Sequence, residues 1–295
     1  MTHIAFIGLG NMGRPMAANL AKAGYVVHGF DLTPFVRDGA AKEGVVIASS
    51  TVEALEGAEV MITMLPGGSQ VLSVWTELLP HARKDMLFID SSTTDVGSAR
   101  RAHALAGGAG VLSVDAPVSG GTGGANAGTL TFMCGAASAA FAAAKPVLEK
   151  MGRNIIHCGE VGTGQAAKIC NNMILGVTMI ATAEAFVLAE KLGLSHQALF
   201  DVASASSGQS WVLTSYCPVP GPVPTSPANN GDKPGFTAAL MLKDLKLAQE
   251  AAANCVTASP LGAAAAQLYA SYTASGEGGV DFSGIINMIR GKSEG

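Results

Sequence analysis

Short apolar runs of strand length alternate with helical stretches through the first half of the chain. The runs are "IAFIGLG" (4–10), "YVVHGFD" (25–31), "GVVIA" (44–48), "EVMITMLP" (59–66), "MLFIDSST" (86–93) and "GVLSVDAPVSGG" (110–121). Near-continuous hydrophobicity suits strands buried on both faces, and helices between such strands make βαβ units around a parallel sheet. "TLTFMCG" (129–135) and "NIIHCG" (154–159) read as further strands closing this domain. The Ala-rich "SAAFAAAKPVLEKMG" between them reads as a helix stopped by Gly152.

After Gly164 the pattern changes. One helical stretch runs to Leu192, about 29 residues and ~44 Å long at 1.5 Å per residue, and Gly193 ends it. Everything later reads as helix or loop, with "CPVPGPVPTSPANNGDKPG" (217–235) a semi-rigid, exposed loop. A helix this long suits a connecting spine better than a doubly wound sheet. Three segments follow: an α/β domain over 1–162, a connecting helix over 163–193 and an all-helical domain over 194–295.

Composition narrows the function. A chain of 295 residues, 48% hydrophobic and 14% charged, has core enough for two domains. A net charge of -4 without any basic cluster argues against a nucleic-acid surface. Cysteines 134, 158, 170, 217 and 255, widely spaced and with no Cys-x-x-Cys, fit the reduced thiols of a cytoplasmic protein. The histidines show no ligand spacing, so no metal is expected. The first strand begins too near the start for a cleavable leader. The longest weakly polar stretch, 169–183, is shorter than the ~20 residues of a membrane span, so no membrane role is expected.

"GLGNMG" places Gly8, Gly10 and Gly13 in G-x-G-x-x-G spacing, with Leu9, Asn11 and Met12 between them, at a strand-to-helix junction. Gly8 permits the tight turn, Gly10 the approach of a pyrophosphate, and Gly13 close helix–strand packing. The second strand ends in Asp31, and 31 − 13 = 18 is close to the ~20-residue gap of a ribose-binding acid. An acid there accepts ribose hydroxyls and repels a 2′-phosphate, which favours NAD over NADP, although Arg37 lies nearby. Leu65, Pro66 and Thr93 follow the next strands, where ligands of open α/β sheets lie. Ser119, Gly120 and Gly121 offer a hydroxyl and unhindered N–H groups, a nest for a carboxylate or else a flexible glycine loop.

Lys168 and Asn172 are four residues apart at the head of the long helix and share a face. A lysine can exchange a proton with a carbon-bound oxygen while a nicotinamide carries the hydride, and Asn172 can hold that oxygen or orient the lysine. A solvated first-turn lysine is the other reading, and periodicity alone slightly favours it. Lys243 and Asp244 interrupt the apolar "LMLKDLKLA" either to reach the cofactor or as a solvated face. Trp211 and Phe236 could wall a small apolar pocket, or simply be core.

Four blocks in sequence, "FIGLGNMGRPMAANLAKAG", "DAPVSGGTGGANAGTLTFM", "MGRNIIHCGEVGTGQAAKICNN" and "LMLKDLKLAQEA", resemble the β-hydroxyacid dehydrogenase family over essentially the whole chain. The resemblance implies a Rossmann-type, doubly wound parallel sheet, a long inter-domain helix, a second all-α domain, and assembly as homodimers or homotetramers. It implies NAD contacts at Leu65, Pro66, Gln70 and Thr93, with Gln70 replacing a commonly seen Asn. It further implies a substrate-carboxylate clamp at Ser119, Gly120 and Gly121, Lys168 as general acid/base and Asn172 holding substrate. Lys243, with Asp244 beside it, would reach the cofactor. The expected reaction is reversible oxidation of 3-hydroxyisobutyrate to methylmalonate semialdehyde in valine breakdown. Alternatives are L-serine, 3-hydroxypropionate or tartronate semialdehyde as substrate, or a non-catalytic NAD-binding scaffold. After Tyr216 the chain departs from the family's Asn-Pro-Trp-Pro-like run with "CPVPGP".

Overall fold

The apolar runs of the first half form a nine-stranded sheet in the computed structural model, which describes residues 2–291. Residue 1 and residues 292–295, the outer ends of the first and last expected segments, lie outside the described residues. Cα packing divides the chain into two units, Met1–Lys168 and Ile169–Gly295.

The strands of the first unit are β1 (His3–Ile7), β2 (Val26–Phe30), β3 (Val46–Ile47), β4 (Val60–Thr63), β5 (Leu87–Asp90), β6 (Leu112–Asp115), β7 (Val118–Ser119), β8 (Leu130–Gly135) and β9 (Gly152–Gly159). The order β3-β2-β1-β4-β5-β6 is parallel throughout. Side chains alternate between two buried layers. Ile4, Phe6, Ile62 and Ile89 join one apolar cluster; Ala5, Ile7, Met61 and Phe88 join the other. A sheet covered on both faces needs this period-two split of all-apolar strands, and helices supply the cover. The strand order reverses between β1 and β4, the place where dinucleotides bind beyond the carboxyl ends in Rossmann folds.

Two expectations change in detail. The run 110–121 is not one strand: it breaks at Ala116–Pro117 into β6 and β7, both antiparallel to β8. Proline has no N–H for a ladder, yet its carbonyl still accepts from Met133 N at 3.0 Å. Gly152 does not stop the Ala-rich helix, which ends at Leu148; it opens β9 instead. A Cβ there would meet Leu130 O and the Phe132 ring, so glycine lets β9 approach β8.

The long helix is Thr163–Lys191, 29 residues, flanked by Gly162 (φ 84°) and Gly193 (φ 77°). Despite the asparagines, its most apolar window has a mean hydropathy of 1.7, and by length and composition alone the helix could cross a membrane. The core helix of a folded domain meets the same test. The second unit is helical. At Gly176 a Cβ would meet Leu245 and Met241, so a glycine seats the long helix tightly on the helix Ala238–Asn254. The 217–235 loop is not simply exposed: Cys217 and Val219 are fully buried and join an apolar cluster with Phe186 and Leu213. Both its ends are tied to the buried Asp281, whose Oδ2 accepts from Tyr216 OH (2.8 Å), Gly235 N (3.0 Å) and Phe236 N (3.2 Å).

Glu190, near the end of the long helix, accepts both Arg290 Nη2 (2.7 Å) and Arg290 Nε (3.0 Å), with His196 Nε2 at 2.8 Å. The Arg290 bonds hold its carboxyl down at about 2, below the ordinary 4.5. A depressed carboxyl pKa contributes stability that is present above the unfolded value and lost as pH falls through the folded one. Arg290→Gln is therefore expected to lower unfolding free energy by about 1–2 kcal/mol at neutral pH after solvent screening. Urea titrations of both proteins should show the difference shrinking between pH 4.5 and 2; an unchanged gap across that window would contradict the assignment.

Candidate active site

The loop after β1 has the geometry its glycines suggest. Gly8 has φ 96°, and a Cβ on it would strike the Met64 carbonyl at the end of β4. A Cβ on Gly13, the first residue of the helix Gly13–Lys22, would strike the Gly8 carbonyl. Gly10 differs: a Cβ there meets nothing within 4 Å, so its hydrogen faces open space where a bulky anion fits. Leu9 is buried, Met12 half-buried and Asn11 exposed. Leu9 N donates to Asp31 Oδ2 (2.8 Å) and Thr33 N to Asp31 Oδ1 (2.8 Å), so the acid at the end of β2 is aimed at the glycine loop. Each carboxylate oxygen keeps a lone pair for a hydroxyl. These residues fit a dinucleotide: glycine backbone for the pyrophosphate, Asp31 for a ribose.

The neighbouring strand ends are tied to one another. Leu65 N donates to Ser92 Oγ (2.8 Å), linking the segments after β4 and β5, and Thr93 follows half-buried. Pro66 and Gln70 are exposed, Gln70 in the first turn of the helix Gly68–Leu78. At the end of β5 burial pushes the Asp90 carboxyl up to about 6, although Thr63 Oγ1 (2.8 Å) and Ser92 N (3.1 Å) donate to its Oδ1.

Ser119 closes β7, and Gly120 (φ 131°) and Gly121 (φ 59°) then take two successive left-handed conformations. Glycine takes such conformations without strain, and no side chain hinders the N–H groups, as an anion site would need. Lys168 is not solvated: it is 7% exposed, and its Nζ donates to Val118 O at 2.8 Å, one residue before Ser119. The structure thus places the Lys168 Nζ against the residue that precedes Ser119–Gly121, within the first unit.

Three residues that sequence reading passed over build this corner. Gln165 is fully buried; its Oε1 accepts from Thr94 N (3.0 Å) and its Nε2 donates to Ser92 O (2.7 Å). Asp115, at the end of β6, accepts from Gly162 N, Gln165 N and the ring of His103. The available signal was an acid closing an otherwise apolar strand, "VLSVDAP".

In the second unit Asn172 is 2% exposed and donates through Nδ2 to Asp244 Oδ2, while its Oδ1 accepts from the exposed Asn171 (3.0 Å). Asp244 is buried, Lys243 half-buried and Lys246 exposed, so the acid and the first lysine do not lie on the fully solvated face. Trp211 stacks on Tyr216 (centroids 5.3 Å), Tyr216 on Phe282 (5.2 Å), and Phe236 meets Phe282 edge-on (5.8 Å). Trp211 and Phe236 therefore belong to one aromatic group, with Trp211 55% exposed.

Comparison with known proteins gives the family and the fold. Residues 3–159 match the family described as the NAD binding domain of 6-phosphogluconate dehydrogenase. Residues 162–289 match the NAD-binding domain of NADP-dependent 3-hydroxyisobutyrate dehydrogenase. A protein of Mycobacterium tuberculosis named "Probable 3-hydroxyisobutyrate dehydrogenase" is 55% identical over 294 residues, covering 100% of both chains. An NAD-dependent L-serine dehydrogenase of Pseudomonas aeruginosa is 46% identical, covering 98% of each. A solved structure of the M. tuberculosis 3-hydroxyisobutyrate dehydrogenase with L-serine superposes with a TM-score of 0.95 at 56% identity, covering 98% of this chain and 99% of that one.

The glycine loop makes a paired prediction. Gly10→Ala should leave unfolding free energy within about 0.5 kcal/mol of the parent and weaken NADH binding roughly tenfold or more, a cost of ~1.4 kcal/mol. Gly13→Ala should instead destabilise by roughly 1–3 kcal/mol through overpacking. Denaturation curves with NADH fluorescence titrations separate the two; equal behaviour of the variants would contradict the geometry.

Proposed function

The chain belongs to the 3-hydroxyisobutyrate dehydrogenase family of NAD(P)-dependent oxidoreductases, and from that premise we propose that it oxidises 3-hydroxyisobutyrate reversibly to methylmalonate semialdehyde with NAD. The observation that carries this reading is the buried Lys168 Nζ donating to the Val118 carbonyl, next to the Ser119–Gly121 segment. The nest binds the substrate carboxylate. A hydroxyl on the β carbon then lies within a short reach of the lysine. Lys168, as the free amine, takes the hydroxyl proton as the carbonyl forms, and returns it in the reverse direction. Bound NAD supplies the acceptor for the hydride leaving the same carbon. Asn172, held by Asp244 and Asn171, presents an amide already oriented for the substrate oxygen. Asp31 favours NAD over NADP because a 2′-phosphate would face its carboxylate. Within the second unit, Lys243 and Asp244 are the proposed cofactor-binding pair and Trp211 and Phe236 the proposed apolar wall.

L-serine is the second reading, favoured by the serine dehydrogenase relative and by the neighbour solved with L-serine. It differs from 3-hydroxyisobutyrate, as 3-hydroxypropionate and tartronate semialdehyde do, in one small side group. Such a group is worth only ~1–3 kcal/mol in an apolar pocket. A cytoplasmic homodimer or homotetramer acting in valine breakdown fits this function. An exposed apolar stripe on the long helix, Ile174, Ala181, Ala185 and Leu188, recurs at three-, four- and seven-residue spacing and supports pairing of copies.

Three outcomes are expected. NADH absorbance with a panel of 3-hydroxy acids should give the highest kcat/KM for 3-hydroxyisobutyrate, and NAD should outperform NADP; a serine optimum would select the second reading. Lys168→Ala should cut turnover by at least ~100-fold with NADH affinity largely kept, and near-parental activity would remove the lysine from the chemistry. Leu188→Glu should shift the assembly toward monomer in analytical ultracentrifugation, whereas an unchanged mass would place the interface elsewhere.

A further inference from the structure

We infer that Asp115, held by His103, is a positioning residue for the reaction: it sets where Lys168 stands relative to the carboxylate nest. The inference rests on Lys168 being the acid/base. The first turn of any helix has N–H groups without intrahelical acceptors. At the head of the long helix a single buried carboxylate takes two of these groups. Gly162 N donates to Asp115 Oδ1 at 2.7 Å, and Gln165 N donates to Oδ2 at 2.9 Å. Asp115 is 2% exposed, and its negative charge lies at the positive end of the helix. A third donor, His103 Nε2, reaches Oδ1 at 2.9 Å, and the other ring nitrogen lies 2.6 Å from Ser113 Oγ, so the carboxylate is fixed from both sides.

The glycines show how tightly this joint is closed. A Cβ on Gly135 would meet Asp115 Oδ1 at 2.5 Å and Thr163 N at 2.8 Å, and one on Gly164 would meet Asp115 O at 2.6 Å. No side chain fits between the helix start and the ends of β6 and β8. Lys168 lies one turn beyond Gln165, and its Nζ rests on Val118 O, three residues after Asp115. One short segment, 115–121, therefore holds the backbone of the lysine's helix, accepts from its Nζ, and forms the proposed nest. Asp115 makes that triangle rigid. Removing a donor–acceptor pair here leaves the lysine present but loosely placed, and misplacement of about 1 Å can cost ~100-fold in rate. The glycine loop itself is held by Asp31 and makes no hydrogen bond to Asp115, so pyrophosphate and ribose binding should change little when Asp115 is altered.

The test is Asp115→Asn in the full-length protein, below its melting transition. The expected result is a kcat lower by roughly 10–100-fold with NADH affinity within about threefold. The deuterium isotope effect on kcat, with substrate labelled at the carbinol carbon, should rise because the chemical step becomes limiting. A merely structural loss would move neither the isotope effect nor the kcat of correctly folded molecules. Leu148→Ala, a core truncation in the same unit, controls for stability. If Asp115→Asn does not fold, His103→Ala is read with the same assays and should show a smaller loss in the same direction. Unchanged kcat, or lost kcat with an unchanged isotope effect, overturns the inference. Lys168→Ala in the same series separates the two ideas: if it stays active, the acid/base reading fails; if it is dead while Asp115→Asn is normal, only the positioning role fails.

Discussion

A buried carboxylate between a strand end and a helix start is the interaction on which the rest of this site depends. Asp115 would be costly in the core without partners, and the helix head would be costly there without acceptors. Each removes the other's penalty. The three N–H donors on Asp115 come from the helix and from His103, so the sheet, the helix Val96–Gly108 and the long helix meet at one group. Gln165 extends the joint to the segment after β5, which in turn holds Leu65 through Ser92. A continuous chain of hydrogen bonds thus runs from the lysine's helix to the strand ends that flank the glycine loop.

Much of the fold was legible because its determinants are local. A strand covered on both faces must be apolar at every position, and such strands announce themselves as runs. The glycine loop was legible because each of its three glycines answers a different contact: a carbonyl, open space, and another carbonyl. The run 110–121 was misread because its break depends on Pro117 lying beside β8, a partner distant in sequence. The same holds for the 217–235 loop. Proline, glycine and asparagine describe its turns, whereas its burial comes from Cys217 and Val219 finding Phe186 and Leu213.

The site was legible only in part for a related reason. Spacing placed Lys168 and Asn172 on one helix face, but periodicity could not say whether that face was wet. The answer came from Val118 O, fifty residues away in the chain. Asn172 likewise depends on Asp244, seventy-two residues on. Polar residues in apolar segments are ambiguous from sequence because their meaning lies in partners, and those partners are set by topology. His103 had no signal: a histidine in an amphipathic helix reads the same whether it faces water or a carboxylate.

The register of β5 and β6 adds a last constraint. Asp90 and Asp115 are paired across the two strands, so two carboxyl groups lie side by side in the core. Like charges in such a place resist joint ionisation. The structure resolves the conflict unequally. Asp115 receives three N–H donors, while Asp90 receives one hydroxyl and one N–H on Oδ1 and none on Oδ2 among the described residues. Burial accordingly pushes Asp90 up to about 6, with the neighbouring Asp115 adding to the rise. A raised carboxyl pKa favours folding below the unfolded value and loses that advantage as pH rises through the folded one. The strand end that carries Ser92 and Thr93 is thus held most firmly on the acid side of neutrality. The strand end that carries the helix joint is held by hydrogen bonds, and this division lets one sheet edge place two carboxyls side by side while keeping one of them as the acceptor for the lysine's helix.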